Sequence, residues 1–431
     1  MAHITIKKAE CLSGEIPASS SKSYTQRMVI ASALSIGTSS IVNPLFSEDT
    51  DATLRAVTAF GARFQPEDGS WKIKGEYPLK TPAKPIDCGE SGATLRFMVP
   101  IAALAEGPSI LLFRGSLDKR PIEPLLESLR DLGAKAHTGK HEGVDAVFVG
   151  GGGIVGGKTK IPGDISSQFI SGLMFACPLV EEETEITLTS PLESADYVKM
   201  TEAVLSEHAV VVGINEGCIA IPGGQKYKAA DGMVPGDFSS AAFLLAAAAI
   251  TKSKVTVTNL EWGLEQGDKA ILVVLKRMGV EGKVCRDRIQ IEGTGKPLKP
   301  IDIDAKHIPD LVPVIAALAC YANGISQIKG AKRLRLKESD RLASIHAELT
   351  KMGAKITITE DGLTIKGTPL HGAVIDPHND HRIAMATTVA ALAAEGETTI
   401  IDAECIRKSY PQFFHHLKQL GVEVVGGKLD R

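Results

Sequence analysis

Eight lysine and arginine residues occur where cations are unusual, within the first turn or two of predicted helices. They are Lys22, Arg27, Arg96, Arg120, Lys337, Arg341, Arg382 and Lys408. A helix N-terminus carries a positive dipole end and free N–H groups, so a cation there is unfavourable unless an anion is present. Each residue taken alone is explained equally well as a solvated charge or a salt-bridge partner. Their equivalent placement in successive segments indicates a bound polyanion.

The segment Lys337-Glu-Ser-Asp-Arg341 holds two of these cations four residues apart. On a helix they would share one face and leave Glu338 on an adjacent face. The alternative is an ordinary surface salt bridge between Glu338 and Arg341, worth about a few tenths of a kcal/mol. His378 and His381 could form a metal pair, but no third ligand is nearby, and we expect no metal site.

A spelling typical of nucleotide-binding loops occurs near the middle of the first half of the chain. Gly152-Gly-Ile-Val-Gly-Gly-Lys158-Thr159 fits the Walker A pattern letter for letter. Such a loop leads into a helix, whereas Lys158 is followed by a strand-like stretch and the breaker Pro162. We interpret the segment as a glycine-rich turn between two strands and expect no nucleotide cofactor.

A repeated unit positions these residues along the chain. A helical segment, a Gly-Ala or Gly-Val pair and two alternating strands recur, with marker residues at Gly61, Gly133, His208, Gly279, Gly353 and Gly421. The intervals between markers are 72, 75, 71, 74 and 68 residues. A fixed period is typical of proteins built from repeated supersecondary units. Six such units account for nearly all of the 431 residues.

Each unit also contains an Ala-rich apolar helix. These helices are predicted over 21–33, 91–105, 166–176, 239–250, 309–322 and 380–394. Several are apolar on nearly every face, which is typical of a helix enclosed by protein. The strands alternate apolar and polar residues, so one face of each sheet is expected to be solvated. The sequence predicts an inside-out α/β fold of βαβαββ-like units, with helices in the core and sheets outside.

The Gly/Pro-rich stretch 223–236 separates the units into two groups of three. We predict one lobe over residues 20–235 and a second lobe formed by residues 1–19 and 236–431. The N-terminal strand is expected to cross to the second lobe. Ligand sites favour domain interfaces, so the active site is predicted in the cleft between the lobes.

Composition excludes several classes of function. The chain has 48 basic and 51 acidic residues, so its bulk charge attracts neither nucleic acid nor an anionic membrane. No apolar run approaches the roughly 20 residues needed to cross a bilayer, and the first residues do not resemble a secretory signal. Seven scattered cysteines without a Cys-x-x-Cys pair indicate reduced thiols in the cytoplasm.

Eight motifs resemble the 5-enolpyruvylshikimate-3-phosphate synthase family. In order, they are Ser21-Lys-Ser-x-x-x-Arg27, Ser91-Gly-Ala-Thr-x-Arg96, Arg120-Pro-Ile, Gly163-Asp-Ile-Ser-Ser-Gln-Phe169, His307-Ile-Pro-Asp310, Arg335-Leu-Lys-Glu-Ser-Asp-Arg341, Asn379-Asp-His-Arg-x-Ala-Met385 and Lys408-Ser-Tyr-Pro411. The family fold, two lobes of three similar units with helices inside, agrees with the repeat. The resemblance implies transfer of the enolpyruvyl group of phosphoenolpyruvate to the 5-hydroxyl of shikimate 3-phosphate. Phosphate leaves through a tetrahedral adduct, in the shikimate pathway of aromatic amino acid biosynthesis.

The resemblance also implies a role for individual residues. Shikimate 3-phosphate is expected to meet Lys22, Ser23, Arg27, Ser166, Ser167, Gln168, Ser194, Asp310 and Lys337, with Tyr197 packed on its ring. Phosphoenolpyruvate is expected to meet Lys22, Gly92, Arg120, Gln168, Arg341, Arg382 and Lys408. The catalytic residues implied are Asp310 as base, Glu338 as acid, and Lys22, with the opposite assignment of the two carboxyls left open. Neighbouring Lys22, Lys337 and Lys408 would keep Asp310 ionised.

Two alternatives remain open. One is the enolpyruvyl transferase that acts on UDP-N-acetylglucosamine, which normally presents a loop cysteine, whereas residues 109–121 contain none. The other is a non-catalytic polyanion-binding protein, against which the presence of both Asp310 and Glu338 counts. Because members of the resembled family are mostly monomeric, we expect a monomer that binds two small molecules, with no cofactor, nucleic acid or membrane partner.

Overall fold

The computed structural model describes residues 2–427, which divide into two compact units. The N-terminal unit contains residues 20–234. The C-terminal unit contains the residues up to Ser19 and those from Pro235 onward. Each unit holds three four-stranded sheets among its described residues. The strands are β1 (Ile4–Lys7), β2 (Ser13–Pro17), β3 (Thr38–Val42), β4 (Arg63–Glu67), β5 (Ser70–Lys74), β6 (Ile86–Asp87), β7 (Ser109–Leu112), β8 (Ala136–His141), β9 (Val144–Val149), β10 (Gly157–Ile161), β11 (Thr184–Leu188), β12 (Gly213–Asn215), β13 (Cys218–Ile221), β14 (Gly232–Met233), β15 (Lys254–Thr258), β16 (Gly282–Val284), β17 (Arg288–Glu292), β18 (Asp302–Asp304), β19 (Ile325–Lys329), β20 (Lys355–Ile358), β21 (Leu363–Lys366), β22 (Val374–Ile375), β23 (Glu397–Ile400) and β24 (Val424–Val425).

Helices alternate with these strands. The α-helices are α1 (Lys22–Leu34), α2 (Glu48–Ala59), α3 (Gly92–Ala102), α4 (Glu123–Asp131), α5 (Ser167–Ala176), α6 (Ala195–Glu207), α7 (Phe238–Ile250), α8 (Ile271–Arg277), α9 (Val312–Cys320), α10 (Arg341–Lys351), α11 (His381–Ala391) and α12 (Phe413–Gln419). Short 3₁₀ turns cover Gly115–Lys119, Cys177–Leu179, Gly267–Ala270, Pro309–Leu311, Lys332–Leu336 and Ala403–Lys408. None of the helices within residues 2–427 combines the length and the apolar character needed to cross a membrane.

All six sheets have one topology. The strand orders in the N-terminal unit are β14-β3-β5-β4, β6-β7-β9-β8 and β10-β11-β13-β12. Those in the C-terminal unit are β2-β15-β17-β16, β18-β19-β21-β20 and β22-β23-β1-β24. In every sheet the first pair is parallel and the other two pairs are antiparallel. The predicted six βαβαββ-like units are therefore confirmed.

The sixth unit is completed by the start of the chain. Followed along the chain, this unit ends at β24, and the strand that lies between β23 and β24 in its sheet is β1. Ile4 pairs with Ile400 and Ile6 with Val424, both antiparallel. The side chains of Ile4 and Ile6 are fully buried, so this strand is part of the core of the C-terminal unit.

The first helix of each repeat lies inside its unit. All thirteen residues of α7 are buried, and α9 and α11 are buried along their whole length. These three helices pack on one another, while strands such as β17 bury only alternate residues. In the N-terminal unit α3 is buried throughout and packs on α5. The predicted arrangement of inner helices and outer sheets is confirmed.

The sequence placed Arg120, Lys337 and Lys408 in the first turns of helices, but a 3₁₀ turn precedes the second helix of four repeats (α4, α8, α10 and α12). Arg120 and Lys337 lie directly after such turns and Lys408 is the last residue of one, so these three cations are outside the helices. The Walker-like segment joins β9 and β10, as interpreted from the sequence. Lys158 lies in β10, exposed and paired with Glu185 at 3.2 Å, and no helix follows it.

Candidate active site

Gln26 connects the N-terminal parts of three helices in the N-terminal unit. It is buried in α1, and its amide nitrogen donates to Thr53 Oγ1 of α2 (2.9 Å) and Thr94 Oγ1 of α3 (3.2 Å). The same nitrogen reaches the carbonyl of Asp49 and the hydroxyl of Ser91, each at 3.3 Å. Because an unbonded buried amide is costly, this network fixes how three helices meet. Sequence reasoning did not single out Gln26, although a polar residue in an apolar helix was a signal.

Lys22 opens α1 with its charge paired within the same unit. Its Nζ lies 2.7 Å from Asp49 Oδ2, and both side chains are largely buried. Asp49 stands in the first turn of α2, where a carboxylate also favours the helix dipole. The sequence predicted Lys22 as a site residue but did not identify this partner.

Arg27 is a buried cation with neutral partners only. Its Nε–H donates to Thr201 Oγ1 (2.8 Å), and its Nη groups donate to the carbonyls of Ser23 (2.9 Å) and Tyr197 (3.2 Å). The rings of Phe97 and Tyr197 flank it at 5.0 and 5.9 Å. Burial lowers the pKa of the Arg27 guanidinium to about 10. Among residues 2–427 no carboxylate pairs with it, so its charge is available for an anionic ligand.

Arg120 and Gly92 lie against each other, as expected for two residues assigned to one substrate. A Cβ built on Gly92 would lie 3.1 Å from Nη1 of Arg120, tighter than ordinary packing allows. Glycine is therefore needed for the guanidinium to approach the start of α3 this closely. Next to them, Arg96 donates to Gln168 Oε1 (2.8 Å) and to the carbonyl of Pro121 (3.0 Å).

The four serines assigned to shikimate 3-phosphate lie at three helix N-termini, Ser23 being in the first turn of α1. Ser166 caps α5, accepting a hydrogen bond from the N–H of Gln168 (3.3 Å), and Ser167 is buried in the first turn. Ser194 precedes α6 in a left-handed conformation with φ 56°, and Tyr197 follows in the first turn. Helices α5 and α6 are in contact. Helix N-termini present free N–H groups that suit phosphate.

In the C-terminal unit, three cations surround the carboxylate of Asp310. Its Oδ1 lies 2.8 Å from Arg341 Nη1 and 3.5 Å from Lys337 Nζ, and its Oδ2 lies 3.5 Å from Arg382 Nη2. Burial alone would raise the pKa of Asp310. The charges of Arg382, Lys337 and Arg341 outweigh burial and hold this pKa well below its usual range. Asp310 is therefore ionised as predicted and Lys337 contributes as predicted, but the other main contributions come from Arg382 and Arg341 rather than from Lys22 and Lys408.

Arg341 is the hub of this cluster. Its side chain is 1% exposed and bonds Asp380 at 2.8 and 3.2 Å, Asp310 at 2.8 Å and Glu338 at 2.6 Å. Burial would lower the pKa of Arg341, but these carboxylates raise it above its ordinary value. The pair Glu338–Arg341 is therefore a partly buried salt bridge within this cluster, and the isolated surface pair considered from the sequence is wrong. Lys337 reaches the same Asp310 oxygen from extended backbone, not from a shared helix face.

Asp380 links the hub to the start of α11. It is fully buried, caps the helix by accepting from the N–H of Arg382 (2.9 Å), and accepts from Ser339 Oγ (3.1 Å). Just before it, the carbonyl of Asn379 accepts from Lys408 Nζ (2.7 Å). The predicted residues of this unit are thus brought into one network. Asp380 lies in the motif that begins at Asn379, but the sequence assigned it no role in the site.

Asp268 is a further carboxyl that sequence reasoning missed. It is 4% exposed and accepts a short hydrogen bond from Ser239 Oγ at the start of α7. Burial, followed by the nearby charge of Asp310, raises the pKa of Asp268 to about 7, while Arg382 acts in the opposite direction. Its position in a 3₁₀ turn outside any recognised motif gave no signal. Across residues 2–427, no three His, Cys, Asp or Glu side chains form a group suited to a metal ion.

The chain is similar to known proteins along nearly its whole length. The family model described as EPSP synthase (3-phosphoshikimate 1-carboxyvinyltransferase) matches residues 6–417. The 3-phosphoshikimate 1-carboxyvinyltransferase of Methanocaldococcus jannaschii is 43% identical over 425 residues, covering 98% of this chain and 99% of the relative. That of Methanococcoides burtonii is 42% identical and covers 96% of both chains. An EPSP synthase structure from Acinetobacter baumannii superposes with a TM-score of 0.84 at 29% identity, covering 99% of this chain and all of the other.

Proposed function

Because this chain belongs to the EPSP synthase family, we propose that it transfers the enolpyruvyl group of phosphoenolpyruvate to the 5-hydroxyl of shikimate 3-phosphate. The hydroxyl loses its proton as its oxygen bonds to C2 of phosphoenolpyruvate, and the methylene carbon gains a proton. The adduct then expels phosphate while the new methyl group returns a proton. The enzyme must therefore supply one proton acceptor, one proton donor and cations for the phosphate.

The cluster around Arg341 is the observation that carries the proposal. It holds two carboxyl groups, Asp310 and Glu338, on one buried guanidinium at 2.8 and 2.6 Å. A base and an acid for addition across a double bond must act on neighbouring atoms, and two groups bonded to one side chain meet that demand. We assign Asp310 as the base and Glu338 as the acid. Lys337 and Arg382 add the positive charge that the substrates' phosphates and carboxylates require.

Substrate binding would activate Asp310. Without substrate its pKa is held low by Arg382, Lys337 and Arg341, so it is ionised but a weak proton acceptor. Anionic substrate groups that bind Lys337 and Arg382 would offset part of that positive charge. The pKa of Asp310 would then rise toward the range in which a general base is effective. Binding and chemistry are coupled through the same cations in this proposal.

The remaining residues that the sequence assigned to the substrates lie in the N-terminal unit, and we include them in this proposal. The shikimate 3-phosphate contacts are Lys22, Ser23, Arg27, Ser166, Ser167, Gln168, Ser194, Tyr197, Asp310 and Lys337. The phosphoenolpyruvate contacts are Lys22, Gly92, Arg120, Gln168, Arg341, Arg382 and Lys408. Support comes from Arg27, whose buried charge lacks a carboxylate among the described residues, and from the close approach of Arg120 to Gly92.

A phosphate-release assay tests the proposal. Purified protein is given phosphoenolpyruvate with shikimate 3-phosphate, and in parallel with UDP-N-acetylglucosamine as the control acceptor. We expect phosphate release with shikimate 3-phosphate only, accompanied by a product with the mass of the enolpyruvyl ether. Release with the nucleotide sugar alone, or with neither acceptor, would contradict the proposal. The Arg27→Gln variant, purified and assayed in the same way, should show a raised KM for shikimate 3-phosphate.

We also propose that the enzyme is a cytoplasmic monomer. All seven cysteines are free thiols and four of them are buried, which suits a reducing compartment. Light scattering during size-exclusion chromatography should give a mass near 45.6 kDa. A mass of twice that value would overturn the monomer, and recovery of the protein with the membrane or secreted fraction of its source cells would overturn the location.

A further inference from the structure

Glu348 is a buried carboxylate that the proposed reaction does not use. It lies in α10 and is 1% exposed, whereas glutamate is rarely buried unless it is paired. Lys351 Nζ bonds both of its oxygens, at 2.9 and 2.7 Å. The remaining bonds come from the N–H of Asp376 (2.9 Å) and Nε2 of His378 (2.9 Å). Glu348 therefore holds two points of the segment 376–380, which joins β22 to α11.

That segment has an unusual backbone. His378 and Asn379 are consecutive non-glycine residues with φ 53° and 55°, in the left-handed region. Side chains with a Cβ avoid this region, so the surrounding structure must hold such residues there. Glu348 bonds Asp376 just before this pair and the ring of His378 within it, and Asp376 Oδ1 also accepts from the N–H of His378 (2.8 Å). On the far side, the N–H of Asp380 bonds the carbonyl of Pro377 (2.9 Å).

The strained pair leads directly into the proposed site. Asp380 follows it and makes two hydrogen bonds to Arg341, which in turn holds Asp310 and Glu338. The carbonyl of Asn379, inside the turn, accepts from Lys408 Nζ. A change in the turn would thus move both an anchor of Arg341 and the acceptor for Lys408.

We propose that Glu348 is a positioning residue, which keeps the turn 376–380 in its left-handed conformation and so fixes the Arg341 cluster and Lys408. This inference rests on the proposed function, because those groups are its assigned phosphoenolpyruvate and proton-transfer residues. Within residues 2–427, the hydrogen bonds of Glu348 go to Lys351, Asp376 and His378, none of which is assigned to substrate. Its effect on the site passes through the backbone of the turn 376–380.

Glu348→Gln is the first test. A glutamine presents an N–H₂ group to three donors, so at least one bond to Lys351, Asp376 or His378 is lost while the shape of the side chain is kept. Displacements of about 1 Å in a catalytic network cost up to about 10²-fold in rate. We expect kcat/KM for phosphoenolpyruvate to fall by about 10- to 100-fold. The Kd of shikimate 3-phosphate alone should change by less than about threefold, because most of its assigned contacts lie in the N-terminal unit.

Ile345→Val is the matched control for loss of stability. Ile345 is buried in the same helix, and its truncation lowers Tm without removing a hydrogen bond to the turn. Its kcat/KM should stay within about twofold of the parent. If Glu348→Gln keeps kcat/KM within twofold, or if Ile345→Val loses as much activity for an equal fall in Tm, the positioning role is wrong.

His378→Ala covers the case in which Glu348→Gln does not fold. His378 is 40% exposed, so its truncation removes one bond to Glu348 without opening a buried space. We expect a lower kcat/KM for phosphoenolpyruvate at an unchanged Tm, and full activity would overturn the inference. Hydrogen exchange separates this result from failure of the proposed function. Faster exchange at amides 376–382 in either variant, relative to Ile345→Val, supports the positioning role even if the parent releases no phosphate, and unchanged exchange contradicts it.

Discussion

Arg341 shows how one residue can determine the chemistry of its neighbours. Three carboxylates bond to it, so its own charge is already neutralised inside the C-terminal unit. Its main contribution to catalysis would be to hold Asp310 and Glu338 in place before substrate arrives, which is a form of preorganisation. Further positive charge for the substrates comes from Lys337 and Arg382, whose side-chain nitrogens each lie 3.5 Å from a carboxylate oxygen of Asp310.

The two carboxyl groups are tested by isosteric substitution. Asp310→Asn and Glu338→Gln each remove a proton-transfer group while keeping its shape, so turnover should fall by at least about 10²-fold. Binding of shikimate 3-phosphate, measured by calorimetry, should stay within about tenfold because the cations remain. Near-native turnover in either variant would contradict its catalytic assignment, whatever its effect on KM.

Lys337 should set an alkaline limit on activity. Burial lowers its pKa to about 8, although Asp310 acts to raise it. Above that pH the free enzyme loses one positive charge, so kcat/KM for shikimate 3-phosphate should decrease as pH rises through about 8. In Lys337→Arg the guanidinium stays protonated, and the decrease should move to higher pH. An unchanged profile in Lys337→Arg would show that another group limits activity.

The same pKa shift affects stability with a defined sign. The folded state releases the Lys337 proton near pH 8, whereas the unfolded chain keeps it to about 10.5. Between these values the unfolded state binds more protons, so the contribution of Lys337 to the free energy of unfolding rises with pH. Denaturant titrations at pH 8 and 10 should show this rise in the parent relative to Lys337→Met.

At the scale of elements, the sequence was informative where one physical signal dominated. The Ala-rich helices were predicted at α1, α3, α5, α7, α9 and α11, because a helix without a polar face can only be internal. The placement of Arg120, Lys337 and Lys408 within the first turns of α4, α10 and α12 was wrong, since the 3₁₀ turns that precede these helices have no periodicity of their own over five or six residues. The residues Arg333-Leu-Arg-Leu-Lys337 alternate polar and apolar side chains, a pattern typical of a strand, yet Lys332–Leu336 form a 3₁₀ turn.

Part of the candidate site was predictable for a related reason. Cations at helix starts are locally unfavourable, so their positions could be recognised without knowing the fold. Their partners could not, because the pairs Lys22–Asp49 and Arg341–Asp380 join residues far apart in sequence. Asp268 gave no signal, since an isolated aspartate in a turn is ordinary until burial is known.

The fully buried α7 can be tested by overpacking. Ala247 is 0% exposed within it, so Ala247→Leu must displace close-packed neighbours. We expect a loss of about 1–3 kcal/mol in the free energy of unfolding. The matched control is Ala347→Leu on the exposed side of α10, where the change should stay within about 0.5 kcal/mol. Equal effects in urea titrations of the two variants would contradict an enclosed α7.

On the scale of the whole molecule, the first strand of the chain completes the last of the six repeated units. In the other units the inner strand of the terminal hairpin directly follows the outer strand in sequence, as β9 follows β8. In the sixth unit the outer strand is β24, and the strand that takes the inner place is β1. The beginning of the chain therefore supplies the inner hairpin strand that, in the other five units, directly follows the outer strand in sequence.

A circular permutant tests this closure. Gly427 lies against Ala2, because a Cβ added to Gly427 would be 3.2 Å from the Cβ of Ala2. A short Gly/Ser linker can therefore join Gly427 to Ala2 and replace Met1 and residues 428–431. Opening the chain between Glu10 and Cys11, both exposed, should preserve every sheet and leave Tm and phosphate release close to the parent. The control carries the same linker but opens between Thr5 and Ile6, inside a strand buried against β23 and β24. It should be insoluble or strongly destabilised, because the two halves of β1 can no longer hold their neighbours together. Equal behaviour of the two permutants would mean that β1 is dispensable to the sixth unit.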